Sequence, residues 1–391
     1  MRNDCYNQIF NIVRVRINVL EPTPTVTPFQ DATMGPFLAF GLAVIILEDE
    51  NGYQGEAPVF SSYTNVLESC FLPILLHSHG VPYEEMYSKL YWSIRNEGFR
   101  GAAGALLGQI DFALHDLAAR RANLPLHRFL GASRDHVKVY GSGGGTNYTL
   151  RQLEMEIGYF LDKGLDCYKM KIGKDFGTNL PEDVERVKFV RSILGPGVRL
   201  AVDVNQVWNC EQAMRFLDLT SNLEIDWIEE PVHSAMFDQI ATLCAATPVK
   251  VSFGESERTS KLFPTLLNAG VRHFQPVPTQ IGGVREWMDV RNIAQAAGID
   301  FSSGGYSLYT ASLMTTAGPE CQVEYLYAIM GGLEKYFAVK PEWHDGGFLL
   351  PDIAGVPVRV DWDYWHRAGK IVRTVQWDAS SIVAYIPNVI L

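Results

Sequence analysis

Arg199-Leu200-Ala201-Val202-Asp203, Ile225-Asp226-Trp227-Ile228-Glu229 and Val249-Lys250-Val251-Ser252-Phe253-Gly254-Glu255 are three short apolar runs, evenly spaced, each ending in a carboxylate. The segments between them carry helical periodicity. Strands that alternate with helices build a parallel sheet, and the carboxyl ends of such strands converge on one face. Asp203, Glu229 and Glu255 are therefore expected side by side, where they would repel one another unless a cation neutralised them. An all-oxygen ligand set favours Mg²⁺, with Mn²⁺ as an alternative. The reading that follows is a divalent-metal site at the mouth of a β/α barrel.

The rest of the chain is read outward from that barrel. Strand candidates recur near 137–141, 166–171, 199–203, 225–229, 249–254, 271–275, 299–302 and 322–326. Helical patterns such as Pro181 to Leu194 and Glu211 to Leu219 lie between them. Before the barrel, residues from about 8 to 60 alternate like antiparallel strands, and Asn51-Gly52 marks a hairpin turn. Glu21-Pro22-Thr23-Pro24-Thr25-Val26-Thr27-Pro28 is too rich in proline for a helix or a central strand and reads as a loop. Helices are expected near 83–95 and 101–122, the second stopped by Asn123-Leu124-Pro125. After about 340 the pattern lapses into the coil-like Asp345-Gly346-Gly347-Phe348-Leu349-Leu350-Pro351-Asp352, and Ile371 to Ile390 looks strand-like. The expected division is a cap of residues 1–132 with a return at about 345–391, and a barrel of residues 133–344.

Composition narrows the function. The chain has 391 residues, 47% hydrophobic and 20% charged, which is ordinary for a soluble globular protein. A net charge of −11 argues against a nucleic-acid partner. Any site for an acidic substrate then needs local positive charge. No apolar run has transmembrane length and the first residues lack a signal-peptide pattern, so no membrane partner and a cytoplasmic location are expected. Cys5, Cys70, Cys167, Cys210, Cys244 and Cys321 are scattered without paired spacing and suggest buried thiols rather than zinc or disulfides.

The local positive charge is found on the second barrel strand. In Asp166-Cys167-Tyr168-Lys169-Met170-Lys171 the two lysines share one face, because side chains alternate along a strand. Pointing inward near the carboxyl end, they would oppose the acidic triad. Two lysines beside a dication are expected to push at least one lysine pKa down, toward a usable general base. The matching task is removal of the proton α to a carboxylate, with the metal neutralising the enediolate.

Lys169-Met170-Lys171, Asp203-Val204-Asn205, Trp227-Ile228-Glu229-Glu230-Pro231 and Gly254-Glu255 resemble the base and metal motifs of the enolase superfamily, in its mandelate racemase and muconate lactonizing enzyme branches. Ile110 to Leu117, Leu124 to Gly131, Ile281-Gly282-Gly283-Val284 and Leu350-Pro351-Asp352 extend the likeness over nearly the whole chain. The resemblance implies a modified TIM barrel, (β/α)₇β, with an N-terminal α+β capping domain. It further implies Mg²⁺ on Asp203, Glu229 and Glu255, Lys171 as base, Lys169 against the substrate carboxylate, and Glu324 hydrogen-bonded to that carboxylate. Asn205, Gln280, Ser303 and Tyr306 would contact substrate, loops near Pro22–Thr33 and Val59–Tyr63 would close over it, and the protein would be a homo-oligomer.

The chain departs from that pattern on the other face of the substrate. Mandelate racemase relatives end the sixth strand in an Asp that pairs with a His after the seventh; here Val277 and Gly304 stand at the matching positions. Muconate lactonizing relatives use a sixth-strand Lys; here the position holds Gln280, which hydrogen-bonds but is no base. With one base in view, dehydration of a sugar acid to a 2-keto-3-deoxy acid is the leading expectation, with Tyr306, Tyr309, Tyr325 or Ser303 assisting the leaving hydroxyl. Epimerisation, racemisation or cycloisomerisation of a carboxylate, and a non-catalytic carboxylate-binding role, are the alternatives.

Overall fold

The computed structural model describes residues 5–380. At its centre eight parallel strands close into a barrel: His136–Gly143, Cys167–Lys171, Arg199–Asp203, Ile225–Glu229, Lys250–Phe253, His273–Phe274, Asp300–Ser303 and Gln322–Leu326. We refer to them as barrel strands one to eight; strand eight pairs back to strand one, Gln322 opposite Lys138. Leu150–Asp162, Leu180–Leu194, Cys210–Leu219, Phe237–Ala246, Phe263–Asn268, Val284–Ala297 and Ser307–Met314 are the helices of the crossovers, giving a (β/α)₇β barrel. Their starts are written locally. Thr149 with Gln152, and Asn209 with Gln212, form reciprocal capping boxes that satisfy otherwise unpaired backbone N–H groups. Strands this short hold together because both faces are covered: strand two is buried at every residue, its inward side filled by the barrel interior and its outward side by the helices.

The cap is built on a four-stranded antiparallel sheet ordered Ile371–Asp378, Ile12–Leu20, Ala43–Asp49, Gln54–Pro58. The Asn51-Gly52 turn joins the last two strands. Helices Tyr83–Ser93 and Ala102–Arg121 pack beside it, the second buried along most of its length. Of the strand-like run from Ile371, residues 381–390 lie outside the described residues. No helix among the described residues is long and apolar enough to cross a membrane.

Two expectations are corrected. The proline-rich stretch is not a loop: Thr23–Phe29 is a strand paired with Phe37–Phe40. A two-stranded ribbon needs backbone hydrogen bonds on one side only, so Pro24 and Pro28 are tolerated there. The Gly-rich stretch after 340 is not coil either. Glu342–His344 and Gly347–Leu349 form a hairpin whose second strand adds antiparallel to barrel strand one. Its two-residue turn is Asp345-Gly346, both at positive φ, which matches the twist of a hairpin.

One buried carboxylate ties the cap helix to the cap sheet and to the returning chain. Asp116 accepts from the backbone N–H of Glu56 at 2.7 Å and of Val356 at 2.6 Å, and pairs with Arg120 at 2.9 Å. Asp116→Ala leaves two buried N–H groups without their acceptor and takes from the Arg120 guanidinium the nearer of its two carboxylates. It is expected to cost about 3 kcal/mol or more of stability, read by urea unfolding.

Candidate active site

Sheet register assembles the site. Strand three pairs with strand two so that Asp203 lies beside Lys171, and with strand four so that Asp203 lies beside Glu229. Lys169 comes from the same inward face as Lys171, one layer deeper. The Lys171 ammonium donates to Asp203 Oδ2. The Lys169 ammonium sits 2.5 Å from Glu229 Oε2, 2.9 Å from Glu324 Oε1 and 3.6 Å from Asp203 Oδ2, over the Tyr140 ring at 5.6 Å. All five charged groups are buried. Glu255, just past strand five, is half-buried and forms the outer edge.

Burial and mutual repulsion set the protonation of the acids. Burial first, then the charge of Asp203, pushes Glu229 up to about 8 despite Lys169. Burial raises Glu255 to about 7, with Glu230 and Asp203 adding to it against Lys171. Burial also raises Asp203, but Lys171 and Lys169 outweigh it and hold this carboxyl below its usual value. The expected lowering of a lysine pKa is for a site that holds a dication; with the carboxylates carrying their full charge the sign is the opposite. Burial lowers both, as does Lys169 acting on Lys171, yet Asp203 next to Lys171 and Glu229 with Glu324 around Lys169 raise them above the ordinary lysine value. The cause is plain: with the carboxylates carrying their full charge, attraction exceeds desolvation.

That electrostatic debt is what a divalent cation would discharge. The donor set is all oxygen, Glu229 is disfavoured as an anion by Asp203 and Glu255, and the buried side-chain oxygen of Asn205 has no partner. These features fit Mg²⁺. Among the described residues no three Asp, Glu, His or Cys side chains already enclose an ion; the lysine ion pairs hold the carboxylates instead. Strain collects at the same place. Asn205, Gln206 and Glu230, which follow the strand-three and strand-four carboxylates, have positive φ of 48°, 68° and 40°. Asn205 N–H donates to Asp203 Oδ1 at 2.9 Å. Glu230, raised to about 7 by burial and by Asp203, accepts from Gln206 and Ser256, each at 2.9 Å.

Positions 277, 280 and 304 hold Val, Gln and Gly, none of which titrates. Val277 packs against the backbone at Gly305, where an added Cβ would lie 2.6 Å from Val277 Cγ1. A Cβ on Gly304 would lie 2.4 Å from Glu324 Oε2. Glu324 thus occupies the space that a larger residue at 304 would need. Gln280 lies in the turn after strand six, its backbone N–H donating to Val277 and abutting Gly108 of the cap helix. Tyr306 is buried at the start of the helix after strand seven, its hydroxyl pKa raised by burial.

Three hydroxyls expected to assist a leaving group point elsewhere. Ser303 donates to Pro276 O at 2.9 Å and accepts from Trp287 Nε1 at 3.2 Å, so it faces the outer helix. Strand alternation turns it away from the interior that its neighbour Ser302 faces. Tyr325, one residue from the inward Glu324, likewise points outward, donates to Glu334 at 2.5 Å and packs on Trp343. Tyr309 is fully buried near the charges of Glu56, Asp116 and Arg120, away from the triad. The sequence reading missed Gln275, Tyr140, Gln206 and Glu230. Gln275 shares inward parity with Val277, a signal that was available but points to no chemistry by itself.

The cap closes the mouth. Thr146 and Asn147, after strand one, hold the backbone of Pro28, Gln30 and Asp31, and Ala32 rests against Gly173 after strand two. Phe60 N–H reaches Gln109 of the cap helix at 3.4 Å. A cavity of about 310 Å³ lies at the opposite end of the barrel, lined by Asp166, Arg199 and Gln322, and those groups pair with one another.

Fold and site together define a capped β/α barrel of the kind that carries out enolate chemistry. The chain belongs to the enolase C-terminal domain-like family, whose model matches residues 153–364, in the mandelate racemase and muconate lactonizing enzyme branch of the enolase superfamily. It is 29% identical to L-talarate/galactarate dehydratase of Salmonella typhimurium, over 70% of this chain and 71% of that one. It is 26% identical to 3,6-anhydro-alpha-L-galactonate cycloisomerase of Streptomyces coelicolor, over 92% and 99%. A solved racemase of Streptomyces coelicolor A3(2) with bound magnesium superposes with a TM-score of 0.83 at 26% identity, covering 91% of this chain and 99% of that one. The relatives are thus enzymes of two kinds, lyases and isomerases.

The raised carboxyls predict how pH and metal combine. Glu229 at about 8 and Glu255 at about 7 lie above their unfolded values, so their protonation stabilises the ion-free fold at low pH and is lost as pH rises through 7 to 8. Asp203 titrates below that window and both lysines above it. Protons and Mg²⁺ compete for the same oxygens. The gain in melting temperature from Mg²⁺ over EDTA is expected to grow between pH 6 and pH 8.5, by about 2 °C or more. A gain independent of pH would contradict this assignment.

Proposed function

We propose that this chain is a Mg²⁺-dependent enzyme in which Lys171 removes the proton α to the carboxylate of a sugar acid, an aldonate or aldarate, and that the reaction is dehydration to a 2-keto-3-deoxy acid. The observation that carries the reading is the asymmetry of the site. One face holds Lys171; the other holds Val277 packed on Gly305, with Glu324 filling the space over Gly304.

Asp203, Glu229 and Glu255 would hold the ion. When bound, Mg²⁺ supplies positive charge that neutralises these carboxylates and the charge developing on the substrate carboxylate. With Asp203, Glu229 and Glu255 all engaged by the ion, the influences left on Lys171 are burial and the Lys169 ammonium, and both lower its pKa. Lys169, anchored on Glu229 and Glu324, stays charged and adds to the positive field that receives the substrate carboxylate. Neutral Lys171 takes the α proton, and the electron pair of the broken C–H bond moves to the Cα–carboxylate bond. That pair then expels the β-hydroxyl as the Lys171 ammonium returns its proton, so water leaves from the same face. The enol that remains tautomerises to the 2-keto acid. Cycloisomerisation is the second reading. It too needs only one base, and the cycloisomerase relative matches along 99% of its own length.

A screen of the Mg²⁺-loaded protein against aldonic and aldaric acids, with 2-keto acid detected as its semicarbazone, tests the proposal. Turnover is expected on at least one acid. Lys171→Ala should reduce it by about 10³-fold or more, and EDTA should abolish it. Product of unchanged mass carrying solvent deuterium would favour isomerisation, and silence across the library would sink the dehydratase reading.

A further inference from the structure

The end of the sixth barrel strand carries no acid or base at Val277, yet Gln275, two positions earlier, has every polar atom of its side-chain amide paired. Gln275 Nε2 donates to Glu229 Oε2 at 2.5 Å and to Ser252 Oγ at 2.7 Å. Its Oε1 accepts from Tyr140 OH at 2.8 Å and Ser302 Oγ at 3.0 Å. Both N–H groups and both lone pairs of the amide are thereby used, so its orientation is determined by its neighbours. Ser302 is held in turn by His273 Nε2 at 2.9 Å. Burial pulls His273 down to about 3, so the ring is neutral. Since the Ser302 hydroxyl proton goes to Gln275, His273 donates to Ser302 and the direction of the chain is set from end to end.

The far end of that chain is a metal-ligand candidate. Glu229 Oε2 receives two donors, Gln275 and Lys169, while no described side chain donates to Oε1. A fully buried carboxylate gripped on one oxygen from two sides cannot swing, and presents its other oxygen in a constant direction. Removing the amide would leave Glu229 held by Lys169 alone, and free to follow it.

We propose that Gln275 is a positioning residue that fixes Glu229 for metal binding, oriented for that purpose by Tyr140, Ser302 and Ser252. This rests on the metal reading above. Outer partners that orient metal ligands are commonly worth about 10–100-fold in metal affinity.

The test is titration calorimetry of full-length protein with MgCl₂ at pH 8, with thermal melts in EDTA run in parallel. Gln275→Met and Gln275→Glu are expected to weaken Mg²⁺ binding by about 10–100-fold, and Ser302→Ala, which removes one donor that orients the amide, by less than about tenfold. Gln275→Glu keeps the shape and an acceptor but loses both N–H groups, so it decides the matter where Gln275→Met fails to fold. Mg²⁺ affinity within twofold of the parent protein in every variant that folds would overturn the positioning role and leave the metal site standing. Absence of Mg²⁺ binding in the parent protein would overturn both. Ion-free melting temperatures that fall while affinity holds would mark Gln275 as structural only.

Discussion

Two ammonium groups and five carboxylates share the sealed mouth of this barrel. Lys169 and Lys171 lie among Asp203, Glu229, Glu255 and Glu324, with Glu230 beside Glu255, and all are buried but Glu255, which is partly exposed. Charges removed from water are costly unless each is paired or hydrogen-bonded, and that requirement organises what surrounds them. Parallel register sets Lys171, Asp203 and Glu229 at one level. Gln275 takes the oxygen side of Glu229, Gln206 and Ser256 take Glu230, and the backbone of Asn205 takes Asp203. Acids still outnumber the ammonium groups, and burial together with that excess is why Glu229 and Glu255 hold protons near neutrality and why a dication suits the site.

The same crowding explains the bare opposite face. Glu324 pairs with Lys169, and in doing so its carboxylate lies where a side chain at 304 would have to stand. An acid or base there would compete with Glu324 for space as well as for charge. The single-base chemistry proposed for this site then follows from the packing. The cap loops, held on Thr146 and Asn147, cover the mouth from which water must be kept during such a step.

Much of this was legible in the chain because the signals were local. Each barrel strand is an apolar run between helical patterns, and Asp203, Glu229 and Glu255 end their runs. The lysine pair shares parity, and Val277 and Gly304 announce by their chemistry that no base stands there. What escaped depends on long-range geometry. Proline forbids a central strand but not an edge, so Thr23–Phe29 read as loop although a partner at Phe37–Phe40 awaited it. Ser303 and Tyr325 sit on the right strands with the wrong parity, which a shift of one residue decides. The sign of the lysine pKa shifts beside fully charged carboxylates depends on how closely three strands bring opposite charges together, and no spacing along the chain reports that.

A crystal structure of the protein grown with Mg²⁺ tests the central claim most directly. The account predicts one ion at the carboxyl end of the barrel, with oxygens of Asp203, Glu229 and Glu255 at about 2.1 Å and the Lys171 ammonium parted from Asp203. An ion bound elsewhere, or a mouth without one in which both lysines still hold the carboxylates at saturating Mg²⁺, would contradict it.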